Sequence, residues 1–193
     1  MTLTPLVAAL LFLWMVFIVF WRVMAMFVKP TAKRAPFFER IAYNIPFFLA
    51  FAALLMSFGS WAWVPLASIV VAQTKFSIVL GIGLTAFGLA VSIWSRIALG
   101  SNWSHTIVLV KEHKLVTHGP YAYMRHPIYT GLLLMFFGTA VALGTLGGMI
   151  GFGLMFVSCW VKLISEERLM IREFPHEYLH YSRRVKRLIP YFL

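Results

Sequence analysis

The amino-acid sequence predicts an all-α integral membrane protein with about five transmembrane helices, a cytoplasmic loop and an amphipathic C-terminal helix. Three observations predict this class. Of the 193 residues, 61% are hydrophobic and only 12% are charged, whereas roughly 25% of the residues in a soluble domain are charged. Aspartate is absent, so all six acidic residues are glutamate. Several apolar runs approach or exceed the roughly 20 residues that a helix needs to cross a bilayer.

Five apolar segments are predicted to form these helices within a single membrane domain. The first begins without a basic leader region or a small-residue cleavage site and is longer than the apolar part of a signal peptide, so we expect it to be retained. The fourth and fifth are joined by the sequence GTLGG, which predicts a tight helical hairpin. The predicted spans are about 3–27, 41–65, 76–99, 128–143 and 148–164.

The basic residues indicate how the helices are oriented. The formal net charge is +11, and most lysines and arginines lie in three segments, 28–40, 100–127 and 165–193. Five spans place all three segments on one side, which is expected to be cytoplasmic, with the N-terminus on the opposite side. The sequence has no separate basic face with interleaved aromatic residues, so we expect no nucleic-acid partner.

The C-terminal segment has the pattern of an amphipathic helix. Apolar side chains recur at spacings of three and four residues, at Met170, Phe174, Tyr178, Tyr181 and Val185. Pro175 is compatible with the first turn of a helix. The cations that follow are expected to meet anionic lipid headgroups, and they are Arg183, Arg184, Lys186 and Arg187.

No metal site is expected. The single cysteine, Cys159, excludes an internal disulfide and any zinc site built on several cysteines. The loop histidines lack carboxylate-rich surroundings and helical metal-binding spacing.

A polar stretch, GPYAYMRHPIYTG at 119–131, stands immediately before the fourth apolar segment. Arginine snorkelling and an interfacial tyrosine belt would explain part of it. Ionisable residues beside the hydrocarbon region also indicate function. Because a helix N-terminus carries partial positive charge, Arg125, His126 and Tyr129 are suited to receive an anion such as a carboxylate.

A second polar cluster, Glu166 and Glu167, lies at the end of the fifth segment. If the hairpin closes at GTLGG, these carboxylates come near Arg125 and His126. The arrangement is then either a structural ion pair or a ligand site, and the spacing leaves both open. A ligand that meets both an anion receiver and a cation receiver would be a zwitterion, such as an amino-acid moiety.

The sequence GIGLTA at 81–86 matches the dinucleotide-binding pattern G-x-G-x-x-A. That pattern functions only between a strand and a helix. Here it lies inside an apolar run, so it predicts close helix packing rather than a cofactor loop.

Several motifs occur in an order that resembles a known family. HKLV at 113–116 is followed by GPY at 119–121, RHPIYTG at 125–131 and EE at 166–167. The tail then supplies Phe174, Tyr178, Tyr181, Ile189 and Pro190. Over roughly residues 100–190 the chain resembles the isoprenylcysteine carboxyl methyltransferases, within the phospholipid and isoprenylcysteine integral membrane methyltransferases.

The resemblance implies that S-adenosyl-L-methionine binds without a Rossmann domain, within a catalytic region at 100–193. The adenosine side would be lined by His113, Lys114, Leu115 and Val116. The amino-acid end and ribose would be held by Tyr121, Arg125, His126, Pro127 and Tyr129. Glu166 or Glu167 would receive the ammonium group or a ribose hydroxyl.

The same resemblance makes Arg125 and Glu167 the candidate catalytic residues and Lys162 the candidate substrate-binding residue. Lys162 stands where the family typically has arginine. Pro175 replaces a family glycine, and Ile128 occupies a position that often carries serine or asparagine. These departures from the family pattern affect the expected binding of the acceptor more than the expected binding of the cofactor.

The implied activity is methyl transfer from S-adenosylmethionine to a lipophilic or lipidated acceptor that enters from the membrane, such as a prenylcysteine carboxylate, with S-adenosylhomocysteine as product. A carboxylate is ionised at neutral pH, so this reaction requires no general base. Three alternatives stay open. These are N-methylation of a phospholipid or amine by the same fold, an NADPH-dependent sterol-type reduction, and a non-enzymatic membrane scaffold.

Overall fold

Six α-helices make up most of the structure, a computed structural model that describes residues 3–27, 37–58, 65–100 and 115–192. The helices are α1 (Leu3–Ala25), α2 (Phe37–Ser57), α3 (Lys75–Leu99), α4 (Pro127–Leu143), α5 (Leu146–Glu173) and α6 (Pro175–Arg184). Two short 3₁₀ turns precede α3 and α4, at Pro65–Ala67 and Gly119–Ala122. No strand occurs within the described ranges.

The prediction of an all-α integral membrane protein is confirmed. Four helices, α1, α2, α3 and α5, are long and apolar enough to cross a membrane, and α4 is a shorter apolar helix of 17 residues. Helix α5 extends well past the apolar segment predicted at 148–164. Residues 165–173 include no glycine or proline and are rich in good helix formers, so the helix continues through both glutamates to Glu173.

Glycines allow α3 and α4 to pack in close contact. A Cβ atom added at Gly81 would lie 2.5 Å from the carbonyl oxygen of Gly138, and one added at Gly88 would lie 2.5 Å from that of Gly131. Small residues at such crossings let helix backbones approach within a membrane. Gly81 begins the GIGLTA sequence, so the first glycine of that sequence serves helix packing, whereas a Cβ atom added at Gly83 would meet no described atom within 4 Å.

A tight hairpin joins α4 to α5, as the GTLGG sequence predicts. Gly144 ends α4 in the left-handed conformation, with φ of 61°, which glycine adopts readily. The Thr145 side chain then accepts a hydrogen bond from the backbone N–H of Gly148 and begins α5. Because the helices are antiparallel, the start of α4 and the later turns of α5 lie at the same end of the bundle.

Polar contacts fix the other helices around this hairpin. The indole N–H of Trp14 in α1 donates to Thr139 Oγ1 of α4 at 3.1 Å. The Ser158 hydroxyl of α5 donates to the carbonyl of Tyr43 in α2 at 2.8 Å. The buried guanidinium of Arg96, near the end of α3, donates to the Met24 carbonyl at 2.8 Å. Since each bond joins a different pair of helices, the charged end of the bundle has a defined geometry.

Candidate functional site

Three chain segments meet where α4 begins. They are the residues that lead into α4, the later turns of α5, and an extended segment, 185–188, which we call the strap. The backbone N–H of Arg125 donates to the Lys186 carbonyl at 2.8 Å, and that of His126 donates to the Arg187 carbonyl at 2.9 Å. These parallel-type contacts hold the strap against the start of α4.

Glu167 is the centre of a buried charge cluster. Its Oε1 atom lies 2.8 Å from Nη2 of Arg125 and 3.3 Å from Nε2 of His126. Its Oε2 atom accepts from Nε and Nη2 of Arg187 at 3.0 and 2.9 Å. The side chain of Glu167 is 9% exposed. Both oxygens are therefore already engaged by the protein's own cations.

Arg187 is anchored by this cluster although it follows the last helix. Its hydrogen bonds to Glu167 are the main cause of a raised guanidinium pKa. The cation therefore stays charged throughout the physiological pH range. The sequence groups Arg187 with the cations that are expected to meet lipid headgroups; in the structure its side chain also pairs with Glu167.

Glu166 is the more open of the two carboxylates. Tyr129 donates its phenolic hydrogen to Oε1 of Glu166 at 2.6 Å, and Oε2 lies 3.7 Å from Nδ1 of His126. The Glu166 side chain is 27% exposed. A carboxylate offers about four lone-pair positions, so Glu166 retains capacity for a cationic ligand group.

The rings of His126 and Tyr129 form one wall beside Glu166. Their centroids are 5.6 Å apart, and the ring planes are inclined by only 11°. Both residues belong to the RHPIY sequence, in which His126 precedes Pro127, the buried first residue of α4. Since proline lacks an N–H and favours the helical φ angle, it begins the helix at this point.

Lys162 lies one helical turn before Glu166, toward the apolar part of α5. Its ammonium nitrogen is 5.5 Å from the ring centroid of Tyr43 and 5.7 Å from that of Tyr129. Such distances permit cation–π attraction. The aromatic rings thus hold a positive charge at the membrane side of the carboxylate pair.

Helix α6 covers the cluster from the other side. The hydroxyl of Tyr181 donates to the Tyr121 carbonyl at 2.5 Å, and Nη1 of Arg125 donates to the Ser182 carbonyl at 3.0 Å. Burial raises the pKa of Tyr181 to about 12 and also raises the pKa of Tyr178. Both phenols therefore stay neutral near pH 7.

Two buried polar atoms at this site have no hydrogen-bond partner among the described residues. They are the Nε atom of Arg125 and the hydroxyl of Tyr178. Most buried polar groups in proteins are satisfied. The two atoms are therefore candidates for contact with a polar ligand group.

The structure brings most of the predicted site residues together. Arg125, His126, Tyr129, Glu166 and Glu167 form one contact network, with Lys162 beside it and Pro127 at its base. Tyr121 is buried in the 3₁₀ turn, and burial raises its pKa. Leu115 and Val116 are half-buried and make no hydrogen bond to this network within the described ranges. His113 and Lys114 lie outside the described residues.

Sequence reasoning missed the role of Arg187. The available signal was charge balance, since buried charges are normally paired. Two adjacent glutamates at the end of an apolar helix require more than one neighbouring cation, and Arg125 supplies only one. Helical periodicity does not identify the second cation, because Arg187 lies on an extended segment.

Comparison with known proteins places the chain in a family. The family model described as phospholipid methyltransferase matches residues 76–177, which is just over half of the chain. The match extends from α3 into α6 and therefore includes the start of α4 and the glutamate pair.

Curated relatives show the resemblance that the motifs predicted. A probable protein-S-isoprenylcysteine O-methyltransferase of Oryza sativa subsp. indica is 32% identical over 114 residues, covering 58% of this chain and 60% of the relative. The protein-S-isoprenylcysteine O-methyltransferase of Homo sapiens is 31% identical over 122 residues, covering 62% and 43%. That of Dictyostelium discoideum is 36% identical over 107 residues, covering 54% and 45%.

The chain spans about half the length of the curated relatives it matches. The region that the family model matches, residues 76–177, contains Arg125, His126, Glu166 and Glu167, whereas Arg187 lies beyond it. On the strength of the family model and these relatives, the protein belongs to the phospholipid methyltransferase family.

Proposed function

We propose that this protein is an S-adenosylmethionine-dependent membrane methyltransferase whose acceptor is a carboxylate on a lipophilic or lipidated molecule. The observation that carries the proposal is the difference between the two adjacent carboxylates of the site. Glu167 is engaged by Arg125 and Arg187, whereas the side chain of Glu166 is 27% exposed and open to a ligand. A site that presents an open carboxylate directly beside arginine side chains suits a ligand that carries both charges.

The residues present fit the cofactor. Glu166 is the receiver of an ammonium group, since Glu167 is already engaged by two arginines. The unpartnered Nε atom of Arg125 and the hydroxyl of Tyr178 provide further polar contacts. We assign Glu167 a positioning role, because it fixes Arg125 and Arg187 beside the ligand. When bound, S-adenosylmethionine supplies the methyl group from its sulfonium centre.

Lys162 is the proposed receiver of the acceptor carboxylate. It lies toward the apolar part of α5 and is held by Tyr43 and Tyr129. An acceptor that arrives from the membrane would meet this cation before it meets Glu166. A cation at this position attracts a carboxylate and repels a protonated amine, so it supports carboxyl methylation over amine methylation. The relatives' names, which specify isoprenylcysteine O-methylation, are consistent with that acceptor.

The remaining chemistry requires only orientation. A carboxylate acceptor is ionised at pH 7 and needs no base. The task of the chain is to align two bound molecules and exclude water, and such positioning contributes a large share of catalysis in displacement reactions. The stacked His126 and Tyr129 rings and the cover formed by α6 serve this purpose.

The first test is ligand binding by the purified protein in detergent. Titration calorimetry should detect saturable binding of S-adenosylhomocysteine and none of NADPH. Binding of NADPH without S-adenosylhomocysteine would assign the chain to reductase chemistry. Absence of S-adenosylhomocysteine binding would end the methyltransferase proposal.

The second test concerns the acceptor. The protein should methylate an S-farnesylcysteine derivative but not phosphatidylethanolamine. Lys162→Met should raise the KM for the farnesylcysteine probe by about tenfold, the effect of losing one charged contact, without changing S-adenosylhomocysteine affinity. Lys162→Arg should retain function, and Lys75→Met, which removes an exposed lysine at the start of α3, is the matched control. Methylation of the amine lipid instead would refute the acceptor assignment.

We further propose that the site faces the cytoplasm and that the N-terminus lies on the opposite side. The concentration of lysine and arginine in segments 28–40, 100–127 and 165–193 supports this orientation. Labelling of cysteines introduced at exposed Arg22 and Lys75 in oriented membranes tests it, because the two positions should be accessible from opposite sides.

A further inference from the structure

The C-terminal segment returns to the start of α4 after α5 has carried the chain away from it. Helix α5 has 28 residues and is about 42 Å long, which exceeds the roughly 30 Å of a bilayer's hydrocarbon core. Helix α6 then leads the chain back to the start of α4. The hydroxyl of Thr130, in the first turns of α4, donates to the Leu188 carbonyl at 2.7 Å. Residues after Leu188 therefore lie at the depth where α4 enters the bilayer.

Large apolar side chains are exposed at this depth. Tyr191 is 90% exposed, Phe192 is 82% exposed and Ile189 is 49% exposed, whereas Leu188 is buried. Aromatic side chains are enriched at the membrane–water interface, where one part of the ring is apolar and the other is hydrated. The exposed residues are thus suited to the boundary between acyl chains and headgroups.

Exposed cations stand directly beside these apolar residues. The side chains of Arg183, Arg184 and Lys186 are exposed, and no acidic residue follows Glu177 in the sequence. Unlike Arg187, none of the three forms an ion pair with a described carboxylate. A surface that combines unopposed cations with interfacial aromatics is complementary to an anionic phospholipid surface.

We propose that residues 183–192 dock on an anionic phospholipid surface and that this docking holds the strap against the start of α4. Two of the cations, Arg183 and Arg184, directly precede the strap, Lys186 belongs to it, and the exposed apolar residues follow it. The strap carbonyls accept the N–H groups of Arg125 and His126. Because the strap also carries Arg187, lipid contact on both sides of it keeps Glu167 paired.

The test compares the protein in nanodiscs of phosphatidylcholine with the protein in nanodiscs that also contain phosphatidylglycerol. A nitroxide label at Tyr191→Cys, in a Cys159→Ala background, reports depth through its collision rates with oxygen and with a water-soluble nickel chelate. Hydrogen exchange of the peptide that contains residues 125 and 126 reports strap contact. Both measurements are independent of activity.

The test variant replaces the three exposed cations by glutamine, as Arg183→Gln, Arg184→Gln and Lys186→Gln. The control removes the same charge at three exposed cations elsewhere, as Arg22→Gln, Lys75→Gln and Arg172→Gln. In the anionic discs we expect the label to lie at interfacial depth and the peptide to exchange more slowly than in phosphatidylcholine discs. In those anionic discs, exchange should be about three- to tenfold faster in the test variant than in the unsubstituted protein, and unchanged in the control variant.

A label in bulk water in both kinds of disc would overturn the docking. Exchange that is insensitive to anionic lipid, with the label at the interface, would overturn the link to the strap. A lipid-dependent affinity for S-adenosylhomocysteine is a further consequence, and it alone rests on the proposed function. If that ligand binds in no disc, the proposed function fails while the depth and exchange results still decide the docking.

Discussion

Replacing each of the two adjacent glutamates by glutamine should separate an effect on the unfolding free energy from an effect on ligand affinity. In Glu167→Gln, the carboxylate that joins Arg125 and Arg187 loses its charge, and the buried arginine is left without its counter-ion. Breaking a buried ion pair by removing one partner costs about 3–5 kcal/mol. Because the Arg187 side chain is 39% exposed, solvent screening reduces the part of this cost that comes from Arg187. We therefore expect Glu167→Gln to lower the unfolding free energy by about 3 kcal/mol.

Glu166→Gln should behave differently. Its side chain is partly exposed, and a glutamine oxygen can still accept the hydrogen bond from Tyr129, so the unfolding free energy should fall by about 1 kcal/mol or less. Under the proposed function, the lost charge removes the partner of the ligand's ammonium group, a contact worth about 1.5–3 kcal/mol. The affinity for S-adenosylhomocysteine should therefore fall about 10- to 150-fold.

Two assays on the same samples measure these effects. Titration with sodium dodecyl sulfate in mixed micelles gives the unfolding free energy, and calorimetry gives the ligand affinity. Glu173→Gln, at the exposed end of α5, is the matched control and should change neither quantity. If Glu166→Gln destabilises the protein more than Glu167→Gln does, or leaves the affinity intact, the division of roles is wrong.

The remaining predictions concern the framework of the site. A Cβ atom at Gly131 would clash with the Ser92 hydroxyl of α3, so Gly131→Ala should lower the unfolding free energy by about 1–3 kcal/mol. A Cβ atom at Gly83 would meet no atom of the described residues within 4 Å, so Gly83→Ala should not destabilise. Arg96→Met should lower the unfolding free energy by about 1.5–3 kcal/mol in the detergent titration, because the carbonyls that end α1 and α3 lose their hydrogen bonds from a buried guanidinium. Arg22→Met removes an exposed arginine and should be nearly neutral. The folded-state pKa of Tyr181 is about 12, above its usual value of 10, so its contribution to stability is complete below pH 10 and is lost as the pH rises from 10 to 12. Tyr181→Phe should lose less stability than the unsubstituted protein between pH 10 and 12, while Tyr121 and Tyr178, whose pKa values are also raised, keep their own share of the alkaline dependence. An unchanged pH profile in that variant would contradict the prediction.

Much of the architecture was predictable from local sequence properties. Apolar runs set the approximate positions of the helices, since a chain in lipid must satisfy its backbone polar groups internally. The GTLGG turn predicted the hairpin, and the hairpin predicted that Arg125 and His126 meet Glu166 and Glu167. The end of α5 was not predictable from hydropathy, because the helix continues as polar residues with high helix propensity.

The candidate site followed from the sequence only as a set of residues. Order and spacing of the motifs RHPIY and EE determined which side chains take part, and composition determined that they stand at the edge of an apolar bundle. Motif order, motif spacing and composition can all be read from the local sequence and the helical repeat.

Tertiary structure alone decided which glutamate is engaged and which is open. Glu166 and Glu167 are adjacent in sequence, but successive residues of a helix point about 100° apart, so Glu167 meets Arg125 and Arg187 while Glu166 meets Tyr129. The second arginine comes from an extended strap 20 residues later, whose position depends on backbone bonds to the start of α4. No local sequence pattern encodes that contact, because it forms only when the strap has folded back onto the helix bundle.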